Sequence, residues 1–377
     1  MKRFDAERSM NLAPRQDHAL AASVFLLTGV GLVTLYSSSF AFGQRFFGDG
    51  LYFISRQLVL GGAGLVIFFA AARINLNLVR KLMKPLVIGA VLLCALTFVP
   101  GIGVSKNGAS RWIHLGAWTY QPSELVKLVL PLYLAHIFDK KKDSLDSFGS
   151  GVLPPVMITA LFFMLIYLQN NFSTAVFVAV NALVIFFLAG VRLRYFFAAI
   201  VMLLPLSSLL ILTKEHRLRR LISFIWPDWE PQGAGYQVRS SILTIASGGF
   251  WGKGIGQGTR KVASVPEIHS DFIFASFAEE SGFLGVLLLF ILFAVFAARG
   301  YRGALRADSV FKRLLCCGLL TMILSQALLN IAVVSGSLPA TGIPLPFFSA
   351  GGSSLATTLI MAGLIVNVSR REEAYGR

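Results

Sequence analysis

The chain has 377 residues, 55% of them hydrophobic and only 14% charged, against about 25% charged in an ordinary soluble domain, and its mean hydropathy is +0.71. These values exclude a soluble globular chain, a disordered or collagen-like one, a coiled coil and a disulfide-rich secreted scaffold, and they read as a polytopic membrane protein. The balance of 34 Lys and Arg against 18 Asp and Glu gives a formal charge of +16; in a membrane protein such residues collect in cytoplasmic loops as orientation signals, so the charge argues for topology and against nucleic acid as a partner.

A charged tail, residues 1–17, leads into an apolar run with no small-residue cleavage site, and further runs follow, so the first run reads as a membrane helix and not a signal peptide. A span needs about 20 mostly apolar residues. Ten segments qualify: 18–38, 55–73, 84–100, 121–138, 151–169, 172–190, 195–213, 271–298, 313–334 and 351–369. They are continuously apolar and do not alternate with period two, which favours helices over a barrel. The expected fold is therefore an all-α polytopic membrane protein of ten transmembrane helices in a single domain over 1–377. With both termini placed in the cytoplasm, the inner segments hold 21 Lys and Arg and the short outer loops four, the asymmetry of a positive-inside topology. Residues 370–377 form a short cytoplasmic tail. Cys94, Cys316 and Cys317 all fall inside apolar runs and read as small core residues; their spacing makes no metal site.

Between the seventh and eighth segments lies a loop, 214–270, too apolar for disorder. It contains ISFIWPDW and SSILTIASGGFWG and reads as a folded extracytoplasmic cap that partly re-enters the bilayer.

Few acids are present, and those at or within spans are functional candidates. In RWIHLGAWTYQPSELVK, 111–127, Pro122 suits a first helical turn, and Lys127 follows Glu124 by three residues on the same helical face. The pair is either a self-neutralising structural bridge or, with Arg111, a cationic rim for an anionic headgroup; Trp112 is either an interfacial anchor or part of that rim. The run KEHRLRR, 214–220, offers Arg217, Arg219 and Arg220 to headgroups or to a pyrophosphate. GFWGKGIGQGTRK, 249–261, mimics a dinucleotide fingerprint without its strand–turn–helix context; its glycines with Lys253, Arg260 and Lys261 could let backbone approach a phosphate or sugar. In VPEIHSDFIFASFAEESG, 265–282, Asp271 is expected to open a helix beside an apolar wall, with Ser270 as its cap, and Glu279 reads as a structural partner for a polar group. SLPATGIPLPFFSAGGSS, 337–354, reads as a stiff turn shaping the mouth of a cavity.

Taken in order, YSSS at 36–39, YFISRQ at 52–57, RWIHLG with QPSELVK at 111–127, GYQ at 235–237, SGGFWGKGIGQG at 247–258, PEIHSDFIF at 266–274 and LPATGIPLPFFSAGGSS at 338–354 resemble the SEDS family (shape, elongation, division and sporulation), the FtsW/RodA/SpoVE group, over nearly the whole chain. YSSS and YFISRQ look closer to the FtsW branch, while PLPFFS also suits RodA. The resemblance implies a peptidoglycan glycosyltransferase of the bacterial inner membrane. It would polymerise lipid II at the outer leaflet, at the division septum, with a class B penicillin-binding protein transpeptidase and other divisome or elongasome proteins as partners. By the family motif the essential aspartate maps to Asp271, and its important Trp, Glu and Lys to Trp112, Glu124 and Lys127. Two departures stand out: Asn171 where the family often has an acid, and Ala350 where it usually has Tyr.

On this reading Asp271 takes the proton from an acceptor sugar hydroxyl, a single displacement needing one base. Lys127, Arg217, Arg219 and Arg220 are the candidate cations for the departing pyrophosphate, and Arg111, Trp112, Glu124 and Lys253 complete the expected substrate site. No cofactor is evident; a divalent cation, Mg or Mn, could share the charge, but no dedicated cage is visible. The alternatives are a flippase for a lipid-linked precursor, which would need charged groups at the bilayer midplane, and a RodA-type elongation polymerase.

Overall fold

An apolar medium offers the backbone no hydrogen bonds, so a segment within it must satisfy its own amides and carbonyls. Each of the ten predicted segments accordingly overlaps a helix in the computed structural model, which describes residues 17–106, 108–116, 118–226, 234–259 and 268–370. Most of both tails, and parts of the long loop including Asp228, Glu230, Arg260, Lys261 and Glu267, lie outside the described residues.

The helices are α1 (His18–Phe47), α2 (Tyr52–Ala71), α3 (Leu76–Lys81), α4 (Met83–Leu96), α5 (Pro122–Lys140), α6 (Leu153–Leu168), α7 (Phe172–Leu188), α8 (Leu193–Leu212), α9 (Glu215–Ile225), α10 (Ala234–Ser247), α11 (Ile273–Leu305), α12 (Val310–Val334) and α13 (Gly352–Ser369). Among the described residues six are long and apolar enough to cross a membrane: α1, α2, α6 with the turn before it, α11, α12 and α13; α4 and α7 are shorter apolar helices. Large apolar side chains such as Val66, Phe197, Val201 and Leu288 point outward. A water-facing surface would not carry them so densely; a lipid-facing one does.

At the centre stands α12, packed against α5, α7, α11 and α13. The contact between α2 and α13 is closer still, because Gly363 presses on the Phe68 carbonyl and Gly64 on Leu359, small residues that let two backbones approach.

One correction to the all-helical expectation lies between α4 and α5. There the chain forms an antiparallel sheet of β1 (Gly103–Lys106), β2 (Ala109–Leu115) and β3 (Trp118–Tyr120) in the order β1-β2-β3. Val104 pairs with Trp112 and Ile113 with Tyr120. The Asn-Gly at 107–108 between short mixed segments is a hairpin signal, hidden by the stronger apolar runs on either side.

The long loop is folded where it is described: α9, α10 and a turn, 248–259, that docks onto a break in α11. At Gly282 the backbone leaves helical space (φ 63°, ψ −167°). A break of this kind frees carbonyls above it and amides below it. The turn takes up both sets. Lys253 N–H donates to the Glu279 carbonyl and Gly254 N–H to that of Glu280, both at 3.0 Å, while Phe283 N–H donates to the Gly249 carbonyl (2.9 Å) and Leu284 N–H to that of Phe250 (3.2 Å). The glycine-rich motif is thus a splint. Gly252, at φ 80°, has no room for a Cβ against the Glu280 carbonyl.

Gly252→Ala should therefore lower stability by about 2–5 kcal/mol, summing left-handed strain and overpacking. Gly256→Ala, at φ 81° with open space around it, should cost only the strain of about 1–2 kcal/mol. The unfolding midpoints of the detergent-solubilised variants, followed by tryptophan fluorescence, measure the difference; equal midpoints would contradict the splint.

Candidate active site

Asp271 sits in the turn just before α11, which begins at Ile273, two residues later than the sequence suggests. Its carboxylate is half-buried. Ser270 does not cap the helix; its hydroxyl donates to Asp271 Oδ1 at 3.1 Å. Across from Oδ2 lies Gly342 of the proline-rich turn, where a Cβ would come within 3.4 Å of that oxygen. The turn thus forms one wall of the space beside the carboxylate, as its sequence suggests for a cavity mouth.

Two guanidinium groups share the field of Asp271. Arg111, on β2, is pulled below its ordinary value by burial and by repulsion from Arg220, against the attraction of Asp271. Burial lowers Arg220, on α9, in the same way, again opposed by Asp271. Both stay protonated near neutral pH. The combination brings one acid and two cations into electrostatic range of one another from three elements far apart in sequence. Arg220 also lines a cavity of about 330 Å³ with Ser223, Phe224, Arg239 and Ile242. Arg111 Nη2 donates to the Asn170 carbonyl, and Asn170 Nδ2 donates to the Gly108 carbonyl at 2.8 Å, so the hairpin is tied to the α6–α7 turn. Trp112 is half-buried beside Arg111.

The other predicted cations are engaged by partners within the chain. Lys127 Nζ lies 2.7 Å from Glu124 Oε2 and donates to Gln326 Oε1 at 2.8 Å; both charged residues are buried, Glu124 at 3% and Lys127 at 2% exposure. Of the two readings of that pair, the geometry matches the internal bridge. Arg217 is held between the rings of Tyr167 and Phe172, 4.8 Å from each centroid, and donates to the Leu210 carbonyl at 2.8 Å; it fixes α9 against the end of α8. Arg219 is exposed and paired with Glu215 at 2.6 Å. Lys253 pairs with the fully buried Glu279 at 2.6 Å, which locks the splint by charge as well as by backbone. Glu280 accepts from Ser37 Oγ (2.6 Å) and from Gly256 N–H (3.1 Å), so one serine of YSSS meets the same break.

His269 packs against Phe42 and Phe53, and its carbonyl accepts from Ala350 N–H at 3.0 Å; at the departure Ala350 the backbone, not a ring, makes the contact. Asn171, the other departure, is buried at the N-cap position just before α7.

Sequence reasoning missed Gln326 and Asn330. Gln326 Nε2 donates to the Pro344 carbonyl at 2.8 Å, and Asn330 Nδ2 donates to the carbonyls of Asp271 and Ile343. The signal was present: two carboxamides four residues apart on one face of an apolar span, where a polar side chain is expected to find a specific partner.

A helical membrane protein with an acid and two arginines converging beside a proline-rich turn is the class that fold and site define. Residues 17–374 match the family described as cell cycle protein, which comprises FtsW, RodA and SpoVE, and the chain belongs to that family. It is 37% identical over 357 residues to the "Probable peptidoglycan glycosyltransferase FtsW" of Geobacter sulfurreducens, covering 95% of this chain and 96% of that one. It is 36% identical over 356 residues to the stage V sporulation protein E of Bacillus subtilis, covering 94% and 97%. Among solved structures it resembles a chain from a study of polymerization and crosslinking by a peptidoglycan synthase complex, with a TM-score of 0.79, 29% identity and coverage of 94% and 97%. It also resembles the rod shape determining protein RodA of Thermus thermophilus, with a TM-score of 0.68, 28% identity and coverage of 94% and 96%.

Breaking the buried pair tests its structural role. Glu124→Gln leaves the Lys127 ammonium uncompensated and should cost about 3–5 kcal/mol, while the double replacement Glu124→Gln with Lys127→Met should recover much of that loss. Unfolding midpoints of the single and double variants in detergent read this directly.

Proposed function

We infer that the protein is a peptidoglycan glycosyltransferase that polymerises lipid II into glycan strands, of the FtsW type that serves septal wall synthesis. The observation that carries this is the convergence of the Asp271 carboxylate with the Arg111 and Arg220 guanidinium groups, in a chain whose relatives bear that activity in their names. Ten spans, both termini in the cytoplasm and the long loop on the outer face of the bacterial inner membrane are the topology that suits it, because the site then opens where lipid-linked precursors arrive. A class B penicillin-binding transpeptidase is the partner proposed to crosslink the product, within the assembly of divisome proteins.

In the reaction, the 4-hydroxyl of an acceptor sugar attacks the anomeric carbon of a donor linked to undecaprenyl diphosphate. The new C1–O4 bond forms as the C1–O bond to the diphosphate breaks. Asp271 accepts the hydroxyl proton, a task for which placement matters before pKa. The departing diphosphate gains negative charge, and Arg111 and Arg220 face that charge with fixed, weakly hydrated cations suited to phosphate. Lys127 acts within the scaffold, through Gln326, and Arg217 acts by holding the helix that presents Arg220. A divalent cation, Mg or Mn, could share the charge of the departing diphosphate.

Asp271→Asn should lower the rate of polymerisation of purified lipid II by about 100-fold or more. Arg220→Ala should lower kcat by about 100-fold, the scale for losing one stabiliser of developing negative charge. Gel analysis of glycan strands made by the purified enzyme, with and without its transpeptidase, reads both. Polymer at the normal rate from Asp271→Asn would remove Asp271 from this role, and translocation of lipid II in vesicles with no polymer would favour transport instead.

A further inference from the structure

The carbonyl of Asp271 stands outside the hydrogen-bond ladder of α11. A helix running from Asp271 would pair that carbonyl with the amide of Ala275, but the Ala275 amide goes to the Phe272 carbonyl at 3.0 Å. Its donor is instead a side chain from another helix: Asn330 Nδ2, at 2.7 Å. The same nitrogen donates to the Ile343 carbonyl at 2.8 Å. Ile343 directly follows Gly342, the residue that faces Asp271 Oδ2. One carboxamide therefore holds both the peptide that carries the carboxylate and the stretch of backbone that walls it.

The turn 268–272 has no helical ladder of its own to fix it. Rotation of the 271–272 peptide plane would swing the carboxylate, and the Asn330 bond to the Asp271 carbonyl opposes that rotation. The donor half of the amide does this work: Asn330 is 2% exposed, and its Oδ1 has no hydrogen-bond partner among the described residues. One turn earlier on α12, Gln326 joins the adjacent Pro344 carbonyl to Lys127. The Glu124–Lys127 pair and Asp271 are thereby set in register through two neighbouring carbonyls.

We propose that Asn330 is a positioning residue for the glycosyl transfer, its carboxamide fixing the turn that aims the Asp271 carboxylate at the acceptor hydroxyl. The proposal rests on the reading of Asp271 as the base. It requires the N–H donors and not the carbonyl oxygen, so Asn330→Asp, which keeps the shape but sets oxygens against two carbonyls, should be as damaging as Asn330→Leu.

The test is steady-state polymerisation of lipid II by the full-length enzyme, together with amide hydrogen exchange of the folded protein. Both variants should lower kcat by about 10- to 100-fold, the scale of a misplacement near 1 Å, while KM for lipid II changes by less than about twofold, as for an interaction made only in the transition state. Exchange should quicken in segment 268–275 and stay unchanged in 124–131. If Asn330→Leu does not reach the folded state, Asn330→Ser is read in the same two ways. A normal kcat, or a loss that merely follows the fraction of folded enzyme with unchanged exchange in 268–275, overturns the proposal. An Asp271→Asn enzyme that still polymerises would overturn the base assignment itself, whereas an inactive Asp271→Asn beside a fully active Asn330→Leu would overturn only the positioning role.

Discussion

Backbone polar groups that lose their helical partners in an apolar medium must find others within the protein, and the arrangement around α11 follows from that requirement. Gly282 interrupts the helix, and the carbonyls of Glu279 and Glu280 and the amides of Phe283 and Leu284 are taken up by 249–254. The Asp271 carbonyl, ahead of the helix, is taken up by Asn330. Each repair brings in a piece of chain distant in sequence. The long loop is consequently fastened to α11 at its break, and α12 holds the turn bearing Asp271 just ahead of the same helix.

Charge is sorted by the same economy. Glu124 with Lys127 and Glu279 with Lys253 bury opposite charges in contact, where an unpaired one would be costly. Arg217 is satisfied by a carbonyl and two aromatic faces. Arg111 and Arg220 differ, because their field is shared with Asp271 and Arg220 borders a cavity.

Much of this was legible in the residues. Apolar runs locate the helices because length and hydropathy alone decide what an apolar medium accepts, and the motif order locates Asp271 and its family. The interior role of Lys253 was not legible, since a lysine in a glycine-rich run reads as an anion site until the break at Gly282 is known. Nor was that of Arg217: only the fold brings Tyr167 and Phe172 around it. The sheet β1–β3 was overshadowed by the apolar runs that flank it, and Gln326 and Asn330 were passed over because amides carry no charge to draw attention. What local pattern cannot supply in each case is the identity of the long-range partner.

The interruption at Gly282 also divides α11 mechanically. Its short upper part, Ile273–Ser281, is bonded to the loop through the Glu279 and Glu280 carbonyls, and its long lower part, Phe283–Leu305, runs on as an apolar rod exposing Phe283, Leu288 and Ile291. A continuous rod would transmit every tilt imposed by a thinner or thicker bilayer to whatever stands on its tip. Here the splint bonds to the Glu279 and Glu280 carbonyls above the joint and to the Phe283 and Leu284 amides below it, so a tilt of the rod bears on the loop as well as on the helix tip.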